Sequence, residues 1–172
     1  MSLKSQDVLV LLKLVARGDE PWTYNGLATE LDLSPSQVHA AVRRAVNSDL
    51  AYETDQQIRV HTRNLEEFLI HGMRYFFVPE RGAKSRGMAT LTSAPPFTSL
   101  FIDGEEPIVW PDSSGDLRGE SLTPICKSAP KAAQNDPELY ELLVIADALR
   151  AGRARERQAA VKELKNKLRN YG

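Results

Sequence analysis

From Leu27 to Leu50 the chain reads LATELDLSPSQVHAAVRRAVNSDL, and this stretch constrains the fold more than any other. Ser34 can cap a helix, Pro35 suits its first position, and Gln37, three residues after Ser34, can reach back to close a capping box. Leu33 and Val38 flank that start at the spacing of a hydrophobic staple. Val38, Ala41, Val42, Ala45 and Val46 then recur at helical intervals and define one apolar stripe. Ser36, Gln37, His39, Ala40, Arg43, Arg44 and Asn47 are left facing away. Short polar side chains at the start of a helix, with arginines behind them, make a surface that can meet base edges and phosphates.

The residues before Ser34 supply a second, shorter helix. Leu27, Ala28 and Leu31 form its apolar face, and only Asp32 and Leu33 separate it from the next cap. Two helices joined so tightly cross steeply, and the small Ala28 lets them approach. The pattern Ala28-x-x-x-Asp32-Leu33-Ser34-x-x-x-Val38 resembles the helix-turn-helix signature of bacterial transcription regulators. Those proteins usually carry glycine at the turn; here Asp32 stands there, a residue that tolerates a left-handed backbone better than most.

Upstream, Ser5 can cap a first helix through Val8, Leu9, Leu11, Leu12 and Val15, stopped near Gly18 and apolar enough to be buried on more than one side. Asp19 to Thr23 reads as a connection. Downstream, Leu50 to Glu53 and Gln57 to His61 have strand composition, and Thr54, Asp55 and Gln56 form a hairpin tip between them. The order helix, helix, helix, hairpin resembles winged helix-turn-helix regulators of the MarR-like type over residues 5–61. That resemblance implies a wing touching the minor groove or adjacent backbone through Gln56, Gln57 and Arg59. It also implies a homodimer joined by helices outside the reading head. The helix expected from Thr62 or Asn64, with Leu65, Phe68, Leu69, Gly72, Met73 and Phe76 on one stripe, is either core or that dimer seam.

At Pro79 the character changes. Residues 80–87 are glycine-rich and basic and read as a mobile loop. Five prolines then punctuate short apolar runs, Leu100-Phe101-Ile102 and Ile108-Val109-Trp110 among them, with a turn at Ser113 to Asp116, so an irregular β segment is expected over 79–133. Asp136 or Asn135 caps a helix with Pro137 first, Leu139, Leu142, Leu143, Ala146 and Leu149 on its apolar face and Gly152 at its end. A last helix spans about Ala154 to Asn170 with Val161, Leu164 and Leu168 on one side. The expected fold is mostly α with small β: a head over 1–78, then an accessory domain over 79–172 that ends in a helical pair (135–170).

Net charge is only −1, so any nucleic-acid footprint must be local. The C-terminal residues 150–172 carry eight Lys and Arg against two acids. These basic side chains either grip phosphate or form the solvated face of the last helix. No apolar run approaches a membrane span, no signal-peptide layout opens the chain, and Cys126 is the single cysteine, all of which fit a cytoplasmic protein.

Chemistry-bearing motifs are few. His39, His61 and His71 fall on different expected elements, far from Cys126, and no zinc, hydrolase or dinucleotide-binding spacing occurs. Asp103, Glu105, Glu106, Asp112 and Asp116 gather beside turn residues and read as solvated carboxylates. The expectation is a non-enzymatic regulator, a repressor, that reads double-stranded DNA with Ser34, Ser36, Gln37, His39, Ala40, Arg43, Arg44, Asn47, Gln57 and Arg59, without cofactor or metal and away from the membrane. The alternative is an antitoxin-like protein whose C-terminal half binds a partner protein.

Overall fold

The structure, a computed structural model, describes residues 2–101 and 106–171. Just over half of the chain is helical and small sheets account for about 15%. Helix α1 (Ser5–Arg17) is buried from Asp7 to Val15. Its start is held by the Asp7 carboxylate, which accepts from the Lys4 amide at 2.8 Å. Lys4 therefore occupies the cap position and Ser5 is the first helical residue, a correction to the expected Ser5 cap. Gly18 ends the helix with φ of 62°, a conformation glycine adopts without a steric penalty. No strand forms between Asp19 and Thr23.

Helix α2 (Tyr24–Leu31) is capped by Thr23, whose hydroxyl accepts from Gly26 N at 2.9 Å. It ends at Asp32, left-handed with φ 55° and ψ 43°. Leu33 N then reaches Ala28 O at 2.9 Å and Asp32 N reaches Thr29 O at 3.4 Å. This pair of bonds satisfies the last carbonyls of the helix while turning the chain. Helix α3 (Pro35–Asn47) starts at once, its capping box made by Gln37 N to Ser34 Oγ (3.2 Å) and Ser34 N to Gln37 Oε1 (2.8 Å). Val38, Ala41, Val42 and Ala45 are buried as the stripe requires.

Strands β1 (Ala51–Glu53) and β2 (Ile58–Val60) pair antiparallel, with Tyr52 opposite Arg59. Their tip is closed by Thr54, which bonds the Gln57 carbonyl through both its amide (2.8 Å) and its hydroxyl (2.7 Å). Helix α4 (Thr62–Glu67) passes through a π-helical turn (Phe68–Gly72) into α5 (Met73–Phe76). Leu65, Leu69 and Met73 face the core, whereas Phe76 is 58% exposed. The wider π turn rotates the end of the apolar stripe out of the core.

Residues 80–87, expected as a loop, fall from Arg81 onward in the longest strand, β3 (Arg81–Ala89). It pairs antiparallel with both β4 (Ile108–Pro111) and β5 (Leu117–Leu122), and β4 and β5 pair parallel with each other. Such closure needs backbones in contact. A Cβ on Gly87 would lie 2.0 Å from Trp110 O, and one on Gly119 2.0 Å from Pro107 O. The glycines that resemble loop composition are what the strands need in order to meet. Ile102, Asp103 and Glu105 lie outside the described residues.

The short α6 (Ala129–Gln134), which the sequence reading did not contain, leads into α7 (Pro137–Ala151), capped by Asp136 as expected. Helix α8 (Ala154–Arg169) returns along it. Helix α7 is enclosed by α1, α5, α6, α8 and the β segment, and its residues from Leu142 to Arg150 are all buried. The core is continuous from α1 through α7 to α8 and does not break at Pro79.

At the centre Asp147, 1% exposed, accepts from Thr90 Oγ1 (2.6 Å), Trp110 Nε1 (2.7 Å) and Arg150 Nη2 (2.9 Å). Removing one member of a buried charged pair leaves the other uncompensated, at a cost of about 3–5 kcal/mol. Asp147→Ala is expected to lower stability to urea by that order, with a smaller loss for Thr90→Val. A midpoint unchanged in Asp147→Ala would show that the network is not what holds the β segment.

Candidate nucleic-acid interface

The outer face of α3 is open. Ser34, Ser36, Gln37, His39, Arg43 and Asn47 are exposed, Ala40 is half-buried, and α3 packs mainly on α1, α2 and β1, away from that side. Arg43 forms no ion pair with any described carboxylate, and Asn47 has no described side-chain partner. The capping box occupies Gln37 Oε1 but leaves its amide nitrogen available to donate. Ser34 and Ser36 share a hydroxyl contact at 3.0 Å.

His39 is not free-standing. Its ring stacks on Tyr24 with centroids 3.5 Å apart and planes 15° from parallel, and Tyr24 meets Trp22 edge-on at 5.1 Å. Burial first, and then the charge of Glu53, push the Tyr24 hydroxyl above its ordinary pKa, while Arg43 pulls it down. Trp22, Tyr24 and His39 thus form an aromatic brace across the α2–α3 corner. An aromatic two residues from another, just ahead of a short helix, was the available signal.

The acids nearest the turn are matched. Asp32 is paired with Lys131 of α6 at 3.0 Å, and Glu30 with Lys13 (3.1 Å) and Arg17 (3.2 Å). Those pairs reduce the repulsion a phosphate would meet there.

Two expected contact residues are corrected. Arg44 is 7% exposed, and its Nε and Nη2 each donate at 2.7 Å to the Asp7 carboxylate, itself fully buried. Donating these hydrogen bonds to Asp7 raises the Arg44 pKa further, so it stays cationic. Arg44 borders the apolar stripe, and an aspartate in the buried span of α1 requires a cation there. Asp7 beside the run VLVLL was the overlooked signal. Arg59 is likewise engaged: Nη1 meets Asp19 at 2.8 Å and Gly18 O at 3.2 Å, and the guanidinium lies 4.3 Å from the Tyr171 ring centre. Gln57 is half-buried, while Gln56 is exposed at the tip.

Other chemistry is dispersed. Among the described residues no three His, Cys, Asp or Glu side chains are arranged to hold a metal. Glu106 pairs with Lys84 at 3.0 Å, and Asp112 accepts from Ser114 and Gln134, with the Ser114 bonds holding its pKa below the usual value. Burial pushes the Cys126 thiol up, which disfavours the nucleophilic thiolate. Among the described residues no helix is long and apolar enough to cross a membrane. Comparison with family models, curated proteins and solved structures gives no match.

Arg43 and Arg44 are adjacent in sequence and opposite in role. Arg44→Ala is expected to destabilise the fold by about 3–5 kcal/mol, and Arg43→Ala to change stability by less than about 0.5 kcal/mol. Equal thermal shifts for the two variants would refute the assignment.

Proposed function

We propose that this protein is a sequence-specific double-stranded DNA-binding transcriptional regulator, a repressor, whose reading head over residues 1–78 is a winged helix-turn-helix. The observation that carries this reading is the open polar face of α3, held rigid by the Ser34–Gln37 capping box, the left-handed turn at Asp32 and the Trp22–Tyr24–His39 brace. The hairpin β1–β2 follows α3 directly, as a wing does. Ser36, His39 and Asn47 meet base edges in this reading, and Arg43 meets phosphate or a guanine. Arg44 has no place in it, and Arg59 only a supporting one.

A homodimer would place two such helices on half-sites one helical turn, or a multiple, apart. The apolar surface available for it is Tyr75, Phe76 and Val78, exposed at 74%, 58% and 68%. The alternative of a partner protein bound through residues 79–172 has less support, because α7 is already enclosed by its own chain.

DNA fragments retained from a genomic library by the protein provide the test. Arg43→Ala and Asn47→Ala are each expected to lower affinity for a retained fragment, by about 1–3 kcal/mol where a base contact is lost. If no fragment is retained, or both variants bind as the wild type does, the reading fails. By light scattering at micromolar concentration the wild type should be a dimer and Phe76→Glu a monomer; a monomeric wild type would remove the two-fold geometry.

A further inference from the structure

Beside the hairpin lies a cluster of three cations that outnumber the single acid among them. Arg63 in the first turn of α4, and Lys165 and Arg169 one turn apart on α8, line a cleft of about 320 Å³ together with Thr62, Glu66 and Leu168. All three cations are exposed, and none forms an ion pair with a described carboxylate. Glu66, the one acid of the lining, forms none either. The neighbouring Lys167 differs: it is held by Glu138 at 2.8 Å and by Glu141.

Local helix electrostatics do not account for this grouping. Lys165 and Arg169 sit near the end of α8, where the helix dipole favours cations, but at i and i+4 they repel each other. Arg63 stands at the start of its helix, where the same dipole disfavours positive charge. With Glu66 counted, the site keeps an excess of two positive charges from two elements, and a concave site holding them attracts an anion more strongly than the same charges spread over a flat surface.

The position of the cleft says which anion. Tyr171, two residues beyond Arg169, accepts the Val60 amide through its hydroxyl at 3.0 Å and carries Arg59 on its ring. Thr62 follows β2 after a single intervening residue. The cleft is therefore fastened to the hairpin, whose own arginine is committed to Asp19 and Tyr171.

We propose that the cleft formed by Arg63, Lys165 and Arg169 binds the DNA phosphate backbone next to the hairpin and supplies the positive charge the hairpin lacks. This inference rests on the DNA-binding reading above. It makes the end of α8 part of the interface, with an affinity role and no sequence preference.

The test is an anisotropy titration of a retained genomic fragment and of an unrelated duplex over a range of salt. The full-length chain is used with Arg63→Ala, Lys165→Ala and Arg169→Ala combined, and with Arg63→Ala alone in case the triple variant melts early. Affinity should fall by a similar factor on both duplexes. The slope of log K against log salt should become shallower by about one for each cation removed. An unchanged slope and affinity, or a loss confined to the retained fragment, overturns the cleft assignment and leaves the regulator reading standing. Failure of the wild type to retain any DNA overturns both.

Discussion

Asp147 is the point through which the β segment is joined to helix α7. A carboxylate that deep is tolerated only when its oxygens are fully engaged, and here the donors come from Thr90, Trp110 and Arg150. Arg150 extends the same network to the carbonyls of Phe77 (3.3 Å) and Thr123 (3.1 Å), the residues that lead into β3 and out of β5. One ion pair on α7 thus holds the β segment at its centre and at both ends. The three short strands offer the core few large apolar side chains, Trp110, Val109 and Leu122 among them, so a polar clamp does what area burial alone would do in a larger sheet.

The same economy governs the head. Asp7 takes Arg44, Lys13 meets both Glu30 and the α7 cap Asp136 (2.6 Å), and Asp19 takes Arg59. Each pairing commits a cation of the head to a carboxylate of the same chain. What remains on α3 is short, polar and only weakly charged, with Arg43 as its cation. A surface of that kind discriminates between bases better than it attracts a polyanion, because base contacts carry sequence information and phosphate contacts carry most of the affinity. In the proposed assembly the two roles fall to different elements: α3 selects, and the α4–α8 cleft attracts.

Much of the local structure was legible. The Ser34–Gln37 box, the left-handed Asp32, the hairpin tip at Thr54 and the Asp136–Pro137 start of α7 each depend on residues within a few positions of one another. Local sequence is silent where a residue answers to something distant. Residues 81–87 look like a loop because their glycines and cations suit one, yet their partners are strands more than twenty residues away, to which only a bare backbone can draw close. Arg44 looks like a surface residue because Asp7 lies 37 positions upstream. Phe76 looks like core because the π turn that rotates it outward leaves no mark in the helical spacing.

The amino-acid sequence alone determined where α3 and α7 begin, which face of α3 is apolar, and the order of three helices and a hairpin, since caps, turns and periodicity act over a single turn of chain. The tertiary structure alone decided which arginines are available. Whether a cation is free depends on which carboxylate is folded against it, and the pairs Asp7–Arg44, Asp19–Arg59 and Asp147–Arg150, like the unpaired trio Arg63, Lys165 and Arg169, exist only once distant helices are packed together.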